Sequence, residues 1–395
     1  MAEKRRDSKG RILRTGESQR KDGRYAYKYT DSTGKPQFIY AWKLVATDKT
    51  PAGKRDDISL REKEKEINRD IADGIDTVGK KMTVCQLYAK QNSQRVDVKR
   101  GTKKQREYLM GLLRDDPIGG KSIDAVKPSD AKEWAIRMRE KGFSYQSISN
   151  YKRSLRAAFF IAIEDDCVRK NPFSFALNKV LDDDRGEKTV LTPEQETSLI
   201  DFMQNDPVYQ KYADEIIILL GTGLRISEFC GLTTNLDFKN RLIRVDHQLL
   251  RDKENGYYIE TPKTKSGYRE IPMSEPVYQA LKRVLKNRGK KATIMVDSYT
   301  NFLFLKEDGM PRVGVNYNSM IKGLVKKYNK HHKEPLPNIT PHSLRHTFCS
   351  RMANAGMNPK ALQYIMGHAN ITMTLDYYTH VDACSVKAEM ERLAA

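Results

Sequence analysis

One stretch near the C-terminal end, Thr340 to His380, restricts the fold more than any other. It reads T-P-H-S-L-R-H-T-F, then G-H-A-N, then Y-Y-T-H. Thr340 followed by Pro341 predicts a helix start: a hydroxyl cap, with proline at the first helical position. His342 and Arg345 lie three apart and share one helix face. Leu344, Phe348 and Met352 form an apolar stripe at helical spacing, and Ala355-Gly356 ends the run. Asn358-Pro359 opens a shorter helix, Lys360 to Met366, stopped by Gly367, with His368 directly after it. Tyr377 and Tyr378 stand one short helix further on. Two histidines, an arginine and a tyrosine therefore come within reach of one pocket. No cysteine or carboxylate cluster accompanies them to hold a metal.

The remaining constraints come from charge and cysteine usage. The 395 residues carry a formal net charge of +20, with a pI near 9.5. Such a length implies two or three domains with ample core. The charge implies an acidic partner, and nucleic acid is the default; a basic surface serving only solubility is the alternative. No apolar run is long enough to span a membrane, and M-A-E-K-R-R-D is no signal peptide, so a cytoplasmic, membrane-free protein is expected. Cys85, Cys167, Cys230, Cys349 and Cys384 are scattered and odd in number, which fits a reducing interior. No C-x-x-C pair suggests zinc. His342 and His346 would make a zinc half-site only with a glutamate after the first, where Ser343 stands. No metal or other cofactor is expected.

Taken in order, the chain divides into three. Residues 1–73 predict a small three-stranded sheet and a connector helix. The strands are expected around Ile12 to Glu17, at Arg24 to Tyr29 with period-two alternation, and at Gln37 to Trp42, with a turn over Asp31 to Pro36. Arg24, Tyr27 and Lys28 are candidate DNA contacts on that sheet, since basic and aromatic residues on a β-ribbon suit a groove. The competing reading packs the tyrosines as core and leaves the lysines solvated. Leu60, Ile67 and Ile71 mark the connector helix, and Gly74 and Gly79-Lys80-Lys81 mark a joint.

Residues 80–180 predict a four-helix unit. Thr83 and Gln86 fit a capping box, and later helices are expected over about 103–113, 129–140 and 144–163. On the last, Ile148, Leu155, Phe159 and Ile163 share one face, while Lys152, Arg153 and Arg156 lie on another. Those three are candidate phosphate contacts, with an ordinary solvated face as the alternative. A polar linker runs over 181–188. Residues 188–395 open with the capping box Thr192-Pro193-Glu194-Gln195. They predict a mainly helical domain with a small sheet, its strands near 242–246, 257–261 and 269–272. The fold class expected is thus α+β and multidomain.

The motifs of this last part, in order, resemble the tyrosine recombinases, the phage-integrase family. The resemblance rests on His342-x-x-Arg345, Gly367-His368 and Tyr378-Thr379-His380, preceded by Thr222-Gly223-Leu224-Arg225-Ile226-Ser227-Glu228 with Leu232, and by Lys263-Thr264-Lys265-Ser266-Gly267. It covers about residues 188–382, and the whole layout looks most like the integrases of conjugative transposons. The resemblance implies a catalytic set of Arg225, Lys265, His342, Arg345, His368 and Tyr378, with Glu228 orienting from behind. It implies arm-site binding by the N-terminal sheet and a core-site grip by the helical unit. It also implies a tetramer on DNA, an excision or directionality factor as further partner, and a C-terminal tail over Val381 to Leu393 docking on a neighbour. Two positions have rivals. Nine positions after His368 stands Tyr377, whereas the Y-T-H context selects Tyr378. Lys263 shares the turn with Lys265, which is preferred because it directly precedes a small-Gly step. His346 and His380 read as structural.

Those residue types can break a phosphodiester without metal or water. Tyr378 attacks phosphorus, and its phenol, with a pKa near 10, needs a positive pocket or a base. Arg225 and Arg345 clamp the non-bridging oxygens. His342 and His368 bond the same phosphate or shuttle a proton, and Lys265 protonates the leaving 5′ oxygen. The resemblance implies a 3′-phosphotyrosyl intermediate, a Holliday junction and no ATP, for integrating and excising a mobile element. Alternatives are a catalytically dead DNA-binding regulator, against which the intact residue set speaks, and a type IB topoisomerase, which needs no partner protomer.

Overall fold

The structure is a computed structural model. It describes residues 4–378, apart from 32–33, 185, 187–188, 255, 263 and 290–293, together with Met390. Lys263, His380 and the expected tail helix therefore lie outside the described residues. The chain forms two compact units, residues 1–186 and 187–395.

The first unit begins with strands β1 (Glu17–Gln19), β2 (Tyr25–Thr30) and β3 (Pro36–Ala41), an antiparallel sheet in the order β1-β2-β3. β1 starts later than the sequence suggests. Ile12 bridges back to Arg6, and Glu17 N–H bonds the Arg14 carbonyl at 3.0 Å, so residues 14–16 turn, with Gly16 at φ +87°. Helix α1 (Leu60–Ala72) packs on one face of the sheet. Strand alternation puts Tyr25, Tyr27 and Tyr29 toward it. Tyr25 and Tyr27 are buried, and the Tyr27 hydroxyl donates to Asn68 Oδ1 at 3.2 Å. Tyr27, expected among the DNA contacts, is instead part of this small core. Lys28 points to the opposite face, paired with Phe38, and Ala26 is paired with Tyr40. Phe38 and Tyr40 stay exposed there. The Arg24 guanidinium sits 5.4 Å from the Tyr40 ring and 5.7 Å from Trp42. The outer face is thus aromatic and cationic, while the inner face is aromatic and closed.

Helices α2 (Val84–Ser93), α3 (Arg100–Arg114), α4 (Pro128–Glu140) and α5 (Tyr145–Glu164) follow. The capping box forms: Gln86 N–H donates to Thr83 Oγ1 at 3.2 Å, and Thr83 N–H to Gln86 Oε1 at 2.8 Å. The core is apolar and aromatic, with Trp134 edge-on to Phe173 at 5.6 Å and Phe159 tilted against Phe173 at 5.5 Å. On α5, Ile148, Leu155 and Phe159 are buried, as their spacing predicts, and Ile163 is half-buried. Arg153 and Arg156 are exposed. Lys152 is half-buried, its ammonium 4.6 Å from the Phe175 ring, and burial lowers its pKa. Arg153 lines a groove of about 700 Å³ between α2, α3 and α5, together with Arg95, Lys104, Arg106, Tyr108 and Tyr151.

The second unit contains α6 (Pro193–Asn205), α7 (Gln210–Thr222) and α8 (Ile226–Gly231), then β4 (Leu242–Val245), β5 (Gln248–Asp252), β6 (Gly256–Glu260) and β7 (Arg269–Pro272). Helices α9 (Glu275–Arg288), α10 (Gly314–His331), α11 (Pro341–Asn354), α12 (Pro359–Met366) and α13 (Thr372–Leu375) complete it. β5 escapes the sequence reading because Gln248, Arg251 and Asp252 dilute its apolar alternation. β4 pairs with β7 and β5 with β6, so there are two two-stranded sheets. The segment from Thr264 to Tyr268 therefore precedes a strand, β7, that pairs with β4 and not with β6. One large core spans α6 to α10, and a smaller cluster of Phe348, Cys349, Leu362 and Met366 underlies α11 and α12.

Phe159 is fully buried between Trp134's partner ring and α4. Truncation, Phe159→Ala, is expected to cost about 3–5 kcal/mol of stability in urea unfolding of the first unit; a loss below about 1 kcal/mol would mean this core is not as packed as described.

Candidate functional site

Helix α7 ends on Gly223, whose φ of +62° places it in the left-handed region. A Cβ there would lie 2.4 Å from Phe348 Cδ1. The left-handed stop turns the chain so that Arg225 becomes the N-cap of α8 and Glu228 its third residue. Glu228 then closes back on the cap, accepting from Arg225 N–H at 2.9 Å.

The Glu228 carboxylate organises the site. Oε1 accepts from Arg225 Nη1 at 2.8 Å and Arg269 Nη1 at 3.2 Å, and Oε2 accepts from Arg269 Nη2 at 2.8 Å besides the Arg225 amide. These four bonds match a carboxylate's full acceptor capacity. Burial would raise its pKa, but Arg269 and then Arg225 more than offset that and hold it at about 2.

Helix ends supply the other acceptors. α12 stops on Gly367, at φ +61°. Arg225 Nη2 donates to the Gly367 carbonyl at 3.0 Å, and Arg269 Nε to Ile365 O at 2.6 Å. Arg345, on α11 and buried, donates from Nη1 to Gly223 O at 2.5 Å and from Nη2 to Met366 O. The last carbonyls of two helices, α7 and α12, are the negative ends of their dipoles, so they suit guanidinium. Burial, and next the like charge of Arg225, push Arg345 down to about 9, so it remains cationic at neutral pH.

His368 follows Gly367 and is buried, its Nδ1 2.9 Å from Thr374 Oγ1. Burial, then Arg345, Arg225 and Arg269, push its pKa down to about 4. It is a neutral imidazole at physiological pH, able to bond a phosphate without adding charge. Arg225, His368, Gly367, Thr264 and Gly267 line one cavity of about 370 Å³. Lys265 opens the one-turn 3₁₀ segment Lys265–Gly267 beside it and is exposed.

His342 is exposed near the start of α11, its ring 4.3 Å from that of His346. His346, read as structural, is hydrogen-bonded to the Tyr377 hydroxyl. Burial raises the Tyr377 pKa strongly. The Tyr378 hydroxyl donates elsewhere, to Met357 O at 2.5 Å between α11 and α12, and burial raises its pKa as well. The two neighbouring tyrosines thus point to different partners. Among the described residues, no three His, Cys, Asp or Glu side chains gather to hold a metal ion. Arg269 and Thr374 escaped the sequence reading. The only signal for Arg269 was its place at the start of a strand just after a lysine turn.

The chain is similar to several known proteins. The phage integrase family matches residues 189–384, and the DNA binding domain of Tn916 integrase matches residues 1–71. The transposase from transposon Tn1545 of Streptococcus pneumoniae is 67% identical over 394 residues, covering 100% of this chain and 97% of its own length. The transposase from transposon Tn916 of Enterococcus faecalis is 66% identical over the same span. A solved fragment of the Tn1549 transposon integrase, 82–397 in its own count, in complex with a circular intermediate DNA, is 62% identical with a TM-score of 0.76. It covers 79% of this chain and 99% of that fragment.

Two outcomes test the site. In Gly223→Ala, the positive φ and the Phe348 contact should cost more than about 1 kcal/mol in thermal unfolding and displace the carbonyl that holds Arg345. The second concerns pH. A histidine lowered to about 4 leaves the unfolded chain, at its ordinary value near 6.5, binding more protons between those two values. Stability is therefore present in full above about pH 6.5 and lost as pH falls toward 4. Thermal melts of His368→Asn across that window should fall less steeply than those of the parent; parallel curves would contradict a neutral, buried His368.

Proposed function

This chain belongs to the phage integrase family of tyrosine recombinases, and on that premise we propose how its own residues divide the labour of cutting and rejoining DNA. It is a site-specific recombinase of the kind that integrates and excises transposons. The observation that carries the residue assignment is the Glu228-centred cradle. It holds Arg225 on the lining of the cavity beside a neutral His368, while the Gly223 and Met366 carbonyls hold a cationic Arg345.

A scissile phosphate in this cavity meets Arg225 and Arg345 as the clamp for its non-bridging oxygens, in a desolvated setting where such donors act most strongly. His342 and His368 bond the same group. The Tyr378 phenol leaves Met357 O, gives its proton to one of these imidazoles and attacks phosphorus. The bond from phosphorus to the 5′ oxygen breaks, and Lys265 gives that oxygen a proton. A 3′-phosphotyrosyl link and a 5′-hydroxyl result. The hydroxyl of a partner strand then attacks the link, its proton going back to Lys265, while the imidazole returns the other proton to the departing Tyr378 phenolate. Bond energy is retained in the covalent link, so ATP is not consumed. Two such rounds on two duplexes, carried out by four protomers, pass through a Holliday junction. Tyr378 is preferred to Tyr377 because its partner is a single backbone carbonyl, while Tyr377 is engaged with His346.

For the N-terminal residues we propose arm-site binding through the outer sheet face, with Arg24 and Lys28 beside Phe38, Tyr40 and Trp42. Tyr27 is left to the core. Residues 80–180 grip the core site, using Arg153 and Arg156 and the groove flanked by α3 and α5. A directionality factor is a further proposed partner. Among the described residues no helix is long and apolar enough to cross a membrane.

A nicked core-site duplex separates the assignments. With Tyr378→Phe, covalent protein–DNA adducts on a denaturing gel should vanish while DNA affinity stays within about twofold, since only the nucleophile is removed. Tyr377→Phe should still form adducts; the reverse pattern would move the nucleophile by one residue. Deleting residues 1–73 should abolish arm-site binding in a gel-shift assay and keep core-site cleavage, and undiminished arm binding would refute the division.

A further inference from the structure

The strongest unassigned feature of the catalytic unit is Arg269. Its side chain is fully buried, so it cannot serve as a DNA contact at the surface. One guanidinium touches three separate segments. It donates to both oxygens of Glu228, at 2.8 and 3.2 Å, and so backs the carboxylate that holds Arg225. It donates from Nη1 to Gly267 O at 3.1 Å, inside the turn that begins with Lys265. It donates from Nε to Ile365 O at 2.6 Å, at the end of the helix that leads into Gly367-His368. A backbone link reinforces the third contact, since Glu270 N–H donates to the Tyr364 hydroxyl at 3.1 Å. β7 itself is fixed by pairing with β4, Arg269 opposite Val245.

We propose that Arg269 is a positioning residue that ties the lysine turn to the phosphate clamp, so that Lys265 meets the leaving oxygen of the same phosphate that Arg225 holds. This rests on the roles given above to Lys265 and Arg225. The turn has exposed neighbours on both sides: Thr264, Lys265 and Tyr268 are all exposed, while Gly267, whose carbonyl Arg269 holds, is buried. Gly267 is packed so closely that a Cβ would lie 2.4 Å from Pro262. The anchored end of the turn is thus the end that Arg269 reaches. No lysine substitutes for it, because one ammonium lacks the planar fork that reaches a carboxylate and two carbonyls at once. A purely structural buried ion pair would stabilise the fold and leave the leaving-group step alone.

The test uses the full chain and a nicked core-site duplex in two forms, one normal and one with sulfur replacing the bridging 5′ oxygen. A thiolate leaves without a proton, so this substrate bypasses a misplaced acid. Arg269→Lys and Arg269→Gln are compared with wild type, Lys265→Ala and Arg225→Ala in single-turnover cleavage. On the normal duplex the Arg269 variants should be slower by about 100-fold, the range for losing one aligned general acid. The sulfur duplex should restore at least about tenfold of that loss, as it does for Lys265→Ala and not for Arg225→Ala. Cleavage of the normal duplex within about threefold of wild type would overturn the proposal, and so would equal losses on both duplexes. A melting temperature lowered by more than about 5 °C in both variants would make Arg269 a structural residue, and the proposal falls. Should Lys265→Ala itself gain nothing from sulfur, the lysine assignment fails, which is a different result from failure of Arg269 beside a rescued Lys265 variant.

Discussion

Three guanidiniums, from Arg225, Arg269 and Arg345, share one small volume, and a single described carboxylate, Glu228, bonds two of them. Cations so close repel strongly unless counter-charges are built in. The chain solves this with Glu228 and with the carbonyl ends of α7 and α12, which reach Arg345, Arg225 and Arg269. Both helices must therefore stop at defined places. Gly223 and Gly367 provide those stops through left-handed backbone that a side chain would strain. The small core beneath α11 and α12 keeps the two helix ends facing Arg345.

That arrangement leaves a surplus of positive charge beside the cavity that Arg225 and His368 line. The same surplus keeps His368 neutral, since a fourth cation would be repelled as well as desolvated. Under the proposed roles, neutral histidine beside cationic arginine divides the work: the arginines would match the growing charge of the transition state, and the imidazole would offer a bond without adding charge. The tyrosines are treated differently. Burial lifts both phenols, so neither is a nucleophile at rest. Tyr378 is held on the Met357 backbone carbonyl, and Tyr377 on His346.

Elsewhere the chain uses its aromatic residues twice over. In the N-terminal sheet, alternation sends Tyr25 and Tyr27 into the core and leaves Phe38 and Tyr40 on the far side, with Arg24 over the Tyr40 ring. One face therefore stabilises the sheet against α1, and the other remains available. In the four-helix part, Trp134, Phe159 and Phe173 make the core, while Tyr108 and Tyr151 sit in the basic groove.

The sequence alone determined whatever depends on near neighbours. Capping boxes at Thr83 and Thr192 and the Thr340-Pro341 cap start helices where the residues predict, because a cap is satisfied within four residues. The order of the motifs also sufficed to point to the family. What the tertiary structure decided was which side chains meet across long separations. Arg345 reaches a carbonyl 122 residues away, and Arg269 reaches Glu228 across 41. No periodicity encodes such pairings, since buried charges are placed by the partners that happen to surround them after folding. The same reason explains Tyr27, whose alternation fits either face of its strand, and β5, whose polar residues hide a strand that only its hairpin partner reveals.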